Sequence, residues 1–183
     1  IMMLAHGISS AALFIMCGQV YERLHTRDLR KMGGIRGQFQ YLPFFLMFFV
    51  AALVGIPGLG NFIGEFLILM GSFEKFPTFT ILAAISLVLA GLYGLILIHK
   101  AMFGTPNEEQ KQHYTNPLKD LNSREIVILL VCAVALLWLG IYPQSFLDIS
   151  NSSMAWLANS YIPVQDVVDA TQQVVSQQNV EIQ

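Results

Sequence analysis

Charged side chains are scarce in this sequence, since Asp, Glu, Lys and Arg together make up only 12% of its 183 residues. A typical soluble domain carries about 25%. Hydrophobic residues account for 55% of the chain, and the formal net charge is −2. The composition therefore indicates an integral membrane protein, and the charge gives no reason to expect a nucleic-acid partner.

Cysteine is also rare. Cys17 and Cys132 each lie in an apolar run, without a CxxC pair or a Cys/His cluster nearby. The sequence thus makes no case for an iron–sulfur, haem or zinc site, and both thiols are predicted to be small buried hydrophobic side chains. The first residues lack the charged segment and cleavage site of a signal peptide, which favours the interior of a longer polypeptide.

Apolar runs long enough to cross roughly 30 Å of hydrocarbon recur along the chain. They predict an all-α integral membrane fold with about four transmembrane helices in a membrane domain at 1–148. The second helix is predicted to be discontinuous at Pro57-Gly58. The predicted spans cover about residues 1–20, 41–71, 79–98 and 126–142.

The ends of these segments carry further signals. Asn122 or Ser123, with Glu125 close behind, is predicted to cap the last span. Residues 149–183 are predicted to form a polar C-terminal tail, interfacial from Met154 to Tyr161 and weakly ordered beyond Pro163.

The Lys and Arg residues indicate the orientation. Residues 21–40 hold five of the ten basic residues and residues 100–124 hold four, whereas the tail has none. Cytoplasmic loops carry the excess of Lys and Arg, so both basic loops are predicted to be cytoplasmic at a bacterial inner membrane, and the tail periplasmic. A re-entrant hairpin at 41–71 would put the second basic loop outside, so a single broken span is favoured.

The interruption of the second span is a candidate functional feature. Pro57 removes a backbone donor and clashes with the carbonyl four residues earlier, while Gly58 and Gly60 add backbone freedom. Lipid offers no partner for the freed peptide groups, and Asn61 is a candidate partner. Discontinuous helices form ion and substrate sites in transporters; a simple proline kink is the alternative interpretation.

Glu65 is the main candidate for a proton pathway. A charged carboxylate at mid-bilayer costs on the order of 3 kcal/mol, so an acid here is expected to stay protonated, to pair or to face water. His6, in the first span, is a second candidate because imidazole can both donate and accept. Ser10, at i+4 from His6, and the adjacent Ser9 are possible lining residues. The alternatives are a static ion pair for Glu65 and a buried, backbone-bonded His6.

Two motifs carry a family resemblance. The runs Leu4-Ala5-His6-Gly7-Ile8-Ser9-Ser10-Ala11-Ala12-Leu13-Phe14 and Tyr21-Glu22-Arg23-Leu24-His25-Thr26-Arg27 resemble the antiporter-like subunits of respiratory complex I. The run Gly58-Leu59-Gly60-Asn61-Phe62-Ile63-Gly64-Glu65-Phe66 is similar to the subunit M branch of that family, whose mitochondrial counterpart is subunit 4. The resemblance covers about residues 1–145.

The resemblance implies a fourteen-helix fold of which these spans are the last four. It implies that Glu65 is the terminal acid, where sister subunits place lysine, and that His6 is the histidine of the family's eleventh helix. It further implies proton pumping in NADH:quinone oxidoreductase, driven by quinone reduction elsewhere. No redox centre or cofactor is expected in this chain, since NADH, FMN, iron–sulfur clusters and quinone would bind to other subunits.

The implied partners are the other membrane subunits of complex I, especially neighbouring antiporter-like subunits, and membrane lipids. Related subunits serve in multisubunit Na⁺/H⁺ antiporters and in membrane-bound hydrogenases, and these remain alternatives. A structural membrane anchor, with Glu65 in a static ion pair, is an alternative of a different class.

Overall fold

The computed structural model describes residues 1–29, 32, 34–104, 119–157 and 160, and these residues form helices without a β-strand. By their contacts they divide into two units, Ile1–Pro143 and a second that begins at Gln144 and contains helical residues 144–157. The predicted weakly ordered end of the tail lies outside the described residues. The helices of the first unit are α1 (Met2–Leu24), α2 (Ile35–Gln38), α3 (Tyr41–Leu53), α4 (Gly60–Phe73), α5 (Pro77–Phe103) and α6 (Ser123–Ile141).

Within the described residues, three helices are long and apolar enough to cross a membrane: α1, α5 and α6. They coincide with three of the predicted spans. The remaining prediction, at 41–71, corresponds to two shorter apolar helices, α3 and α4, of 13 and 14 residues. At 1.5 Å per residue each is about 20 Å long, which is less than the roughly 30 Å of the hydrocarbon core.

The interruption between α3 and α4 has a local cause. Helix α3 ends at Leu53, four residues before Pro57, and this is the carbonyl with which a proline ring clashes. Gly55 and Gly58 then adopt φ angles of +78° and +98°, which side chains with a Cβ rarely tolerate. The discontinuity therefore lies where the sequence predicts it.

One stripe of α1 forms much of the core. Its buried residues recur at helical spacing: Ala5, Ser9, Ala12, Met16 and Val20. Cys17 lies beside this stripe and is exposed, so the prediction that it is buried is wrong for the described chain. An apolar run shows that a helix can enter a membrane, but it does not show which face contacts another helix.

A polar cluster joins α1 and α6 at one end of the unit. Arg23, in the last turn of α1, forms a 2.8 Å salt bridge with Glu125 in the first turn of α6. Its guanidinium also donates to the carbonyls of Lys119 and Asp120, at 3.0 and 3.2 Å. Glu125 accepts the backbone N–H of Asn122 and completes the predicted capping box of α6.

The Asp120 carboxylate caps α3 from a distant part of the chain. It accepts the backbone N–H groups of Gln40, Tyr41 and Leu42 at 2.7, 2.8 and 3.3 Å, and that of Leu121 at 2.8 Å. The first N–H groups of a helix lack intrahelical partners, and a negative charge there is favoured by the helix dipole. Burial raises the pKa of Asp120, but the four N–H donors outweigh it and hold that pKa below its ordinary value.

Helices α3 and α4 follow α1 from one end to the other. Through the polar cluster, α3 begins beside the C-terminal end of α1. After the break, the Asn61 side chain bonds Ser9, and Gly64 lies against Met2 at the N-terminal end of α1. The chain therefore continues in the same direction across the break and does not turn back.

Glycines allow close packing around the break. A Cβ on Gly60 would lie 2.8 Å from Cβ of Leu139 in α6 and 3.0 Å from Cβ of Ala5 in α1. Gly140 of α6 contacts the backbone carbonyl of Gly58 directly. Small residues at such contacts let helix backbones approach closely in membranes.

The Asp120 cap generates a first prediction. Asp120→Ala in the full-length protein should raise the hydrogen-exchange rate of the amides of residues 40–42 roughly fivefold, as expected for the ~1 kcal/mol that loss of an N-cap costs. Because the pKa of Asp120 is lowered, its stabilisation is present above the ordinary aspartate pKa and is lost as pH falls through the lowered pKa. In the wild-type protein, the protection factors of these amides should therefore not change with pH near neutrality. Unchanged exchange in Asp120→Ala would show that other groups cap α3.

The Gly140–Gly58 contact generates a second prediction. Gly140→Ala should reduce the thermal stability of the assembled full-length protein, because overpacking typically costs about 1–3 kcal/mol. Gly18→Ala is the matched control, since a Cβ at Gly18 meets nothing within 4 Å and Ala is favoured over Gly in a helix interior. The measurement is the melting temperature of both variants, and equal values would contradict the close contact.

Candidate functional site at the helix break

The candidate site is built on a carbonyl that the helix break leaves without its usual partner. In a continuous helix, Ala52 would accept the N–H of Ile56, but Ile56 donates to Ala51 instead, at 3.2 Å. The Ala52 carbonyl accepts the N–H of Gly55 at 3.2 Å and Nδ2 of Asn61 at 2.7 Å. Asn61 therefore acts as a partner for a backbone group freed by the break.

The same Asn61 amide attaches the break to α1. Its Nδ2 also donates to Oγ of Ser9 at 3.0 Å, and the Ser9 hydroxyl donates to the carbonyl of His6 at 3.1 Å. Asn61 and Ser9 are both completely buried. Nδ2 is thus fully used, whereas Oδ1 of Asn61 is buried and has no hydrogen-bond donor among the described residues.

Glu65 lies one helical turn beyond Asn61, with its carboxyl group against the break. A Cβ on Gly55 would lie only 2.5 Å from Oε2 of Glu65, so the carboxyl occupies the space that the missing side chain leaves. Oε2 is buried and receives no hydrogen bond from the described residues. Within the same part of the chain Glu65 forms no ion pair, and it interacts electrostatically with His6.

The structure brings together some of the predicted site residues and not others. Glu65, Asn61, Ser9 and the His6 backbone meet at the break, and the His6 side chain is exposed. Ser10, which the i+4 spacing from His6 favours as a lining residue, is partly exposed and makes no hydrogen bond within the described ranges. The buried hydroxyl at this place belongs to Ser9.

The other residues predicted for the break have different roles. Pro57 and Gly58 are exposed, whereas Gly60 is buried at the contact of α4 with α1 and α6. No group of three or more His, Cys, Asp or Glu side chains in the described ranges is placed to hold a metal ion. The arrangement instead offers a protonatable carboxyl, an amide and a hydroxyl around an interrupted helix.

Comparison with known proteins relates this chain to a family. The family model described as "NADH:quinone oxidoreductase/Mrp antiporter, TM" matches residues 1–103. NADH-quinone oxidoreductase subunit M of Pseudomonas aeruginosa is 51% identical over 154 residues, which cover 84% of this chain and 29% of that protein. Subunit M of Escherichia coli K12 is 44% identical over 164 residues, covering 87% and 32%.

More distant matches belong to the same kind of complex. NADH-ubiquinone oxidoreductase chain 4 of Marchantia polymorpha is 36% identical over 155 residues, covering 85% of this chain and 30% of that protein. A chain in the structure of respiratory complex I from Thermus thermophilus with bound NADH superposes with a TM-score of 0.69 at 30% identity, covering 78% and 29%. The present chain thus spans about a third of the length of the curated relatives it matches.

The contact between Gly55 and Glu65 generates a third prediction. Gly55→Ala should shift the infrared bands of the Glu65 carboxyl group, because the new methyl must displace it. Both Gly55→Ala and Gly58→Ala force a Cβ-bearing residue to positive φ, at about 1–2 kcal/mol. Only Gly58 has open space beside it, so Gly58→Ala is the control that should leave those bands in place.

The measurement is difference infrared spectroscopy of the full-length protein, with the carboxyl bands assigned through Glu65→Gln. An unchanged Glu65 band in a folded Gly55→Ala protein would show that the carboxyl does not rest against the break.

Proposed function

Because the chain belongs to the membrane family shared by NADH:quinone oxidoreductase and Mrp antiporters, we propose that it is part of a proton-translocating subunit of NADH:quinone oxidoreductase (complex I). Protons move through half-channels of this subunit, and their movement is coupled to quinone reduction elsewhere in the complex. The chain itself carries out no redox step.

The observation that carries the proposal is the Glu65 carboxyl at the helix break. Its Oε2 is buried and has no protein donor in the described residues, so no hydrogen bond or ion pair there holds the group in its ionised form. A carboxyl group without a permanent cation can alternate between protonated and ionised states as its hydration changes. Glu65 is the residue that takes up and releases the proton, and His6 passes protons towards it.

The proposed topology has four spans, with α3, the break and α4 forming the second. Each of these two helices is too short to cross alone, and together they are long enough. Their continuous direction along α1 supports one broken span and not a re-entrant hairpin. With two crossings between them, loops 21–40 and 100–124 lie on the cytoplasmic side of the bacterial inner membrane, and the tail after 149 is periplasmic.

The proposed partners are the other membrane subunits of complex I, above all its neighbouring antiporter-like subunits, together with lipids. Helix α5 is apolar and almost entirely exposed in the described chain, which supports a lipid or protein neighbour for it. NADH, FMN, iron–sulfur clusters and quinone are assigned to other subunits in this proposal.

Two alternatives differ in what supports them. The family description includes Mrp antiporters, but the relatives at 36–51% identity are named as NADH-quinone or NADH-ubiquinone oxidoreductase subunits. This favours complex I over a Na⁺/H⁺ antiporter or a membrane-bound hydrogenase. A structural anchor requires Glu65 to be held in a static ion pair, and the described residues supply no such pair.

The fourth prediction tests the function directly. Glu65→Gln in the full-length subunit, within the assembled complex, should lower proton pumping and quinone-linked turnover together by about tenfold or more. A positioned proton-transfer group typically contributes 10²–10⁴-fold to its step, and glutamine cannot release a proton at working pH.

Glu74→Gln is the matched control, because Glu74 follows the last turn of the same helix and is exposed. It should leave both rates unchanged. Normal pumping and turnover in an assembled Glu65→Gln complex would remove Glu65 from the proton path and leave the break as a structural kink.

A further inference from the structure

Two buried oxygen atoms at the break lack hydrogen-bond donors among the described residues: Oδ1 of Asn61 and Oε2 of Glu65. Burying an acceptor without a partner is destabilising, and most buried polar atoms in native proteins have a partner, either protein or ordered water. That both exceptions lie on one helix, four residues apart, calls for a common explanation.

Independent contacts bring the two side chains to the same part of the break. Residues at i and i+4 on a helix have Cβ atoms about 5–6 Å apart on the same face. Nδ2 of Asn61 donates a hydrogen bond to the Ala52 carbonyl at 2.7 Å. The carboxyl group of Glu65 lies beside Gly55, three residues further along the chain than Ala52. Both side chains therefore contact the same short stretch of interrupted backbone.

The Asn61 amide cannot satisfy the carboxyl by itself. Its Nδ2 group has two protons, and both are used, one on the Ala52 carbonyl and one on the Ser9 hydroxyl. The Ser9 proton is used on the His6 carbonyl. Oδ1 of Asn61 and Oε2 of ionised Glu65 are both acceptors, so only a donor between them can bridge the two.

We propose that Asn61 is a positioning residue that holds a water molecule against the Glu65 carboxyl at the helix break. A water molecule has two protons, and it donates one to Oδ1 of Asn61 and one to Oε2 of Glu65. When Glu65 is protonated, its hydroxyl donates to the water and the bond to Oδ1 remains. Buried waters typically have two to four polar partners, so these two atoms satisfy the minimum.

Gly55 leaves the space that the Glu65 carboxyl group occupies. Because it has no Cβ, the carboxyl can rest against the break beside this water, and the backbone at φ +78° disfavours any larger residue. The inference deepens the proposed function, since the importance of this water for proton transfer depends on Glu65 carrying the proton. The water site itself depends only on the two oxygen atoms.

The fifth prediction is tested on the complete complex by electron cryo-microscopy at a resolution that shows ordered water. The wild-type map should contain density within hydrogen-bonding distance of both oxygen atoms. Asn61→Leu should lose it, because leucine has a similar size and no acceptor. Asn61→Asp should retain it as the protonated acid, since one oxygen still accepts and the hydroxyl replaces Nδ2 as a donor to Ala52.

Ser9→Ala is the matched control, because it removes one acceptor of Nδ2 and leaves Oδ1 in place. Infrared spectra give a second readout: Asn61→Leu should raise the C=O stretching frequency of protonated Glu65, which reports weaker hydrogen bonding, whereas Asn61→Asp and Ser9→Ala should not. A purely structural role for Asn61 would not produce this difference.

Absence of density in a wild-type map that shows waters elsewhere at the same depth would overturn the proposal, even if Asn61→Leu fails to assemble. Density that persists in Asn61→Leu would also overturn it. If the water is present but Glu65→Gln pumps normally, the site stands and the proposed function fails, so the two outcomes are separable.

Discussion

The structure depends on the constraint that lipid offers no partner to a backbone group released from a helix. Pro57 interrupts the second apolar segment, and the hydrogen bond from Asn61 to the Ala52 carbonyl compensates for part of that interruption at 2.7 Å. Because the same amide also bonds Ser9, the start of α4 is fixed against α1. The close contacts of Gly60 and Gly140 and the position of the Glu65 carboxyl all follow from the place at which α4 begins.

The features that could be predicted from sequence are those with local causes. Three long spans follow from the length of their apolar runs, the end of α3 follows from the clash between Pro57 and Leu53, and the capping box of α6 follows from Asn122 and Glu125. The partners that Arg23 and Asp120 find in other helices could not be predicted, because they lie about eighty or more residues away in the chain. The exposure of Cys17 was missed for a related reason, since a uniformly apolar helix carries little signal for its buried face.

The candidate site shows the same division. Glu65 and Asn61 are recognisable because polar side chains are rare inside an apolar run. The i+4 spacing alone favours Ser10 as the neighbour of His6. The buried hydroxyl is that of Ser9, because α4 packs against the face of α1 that carries Ser9. The approach depends on Gly60 and Gly64 meeting Ala5 and Met2, which is a packing outcome between segments about sixty residues apart.

The two polar regions of the unit differ in a way that bears on function. At one end, the charges of Arg23, Glu125 and Asp120 are matched by partners, as expected for groups that stabilise a fold. At the break, Oδ1 of Asn61 and Oε2 of Glu65 are buried without partners in the described residues. The charged groups of the first region have partners, so unpartnered acceptors are not a general feature of this fold. Buried polar atoms without a protein partner tend to occur at functional sites. The acceptors that the described residues leave open beside Glu65 are the ones that the proposed water site uses, and the proposed proton exchange depends on the same open carboxyl.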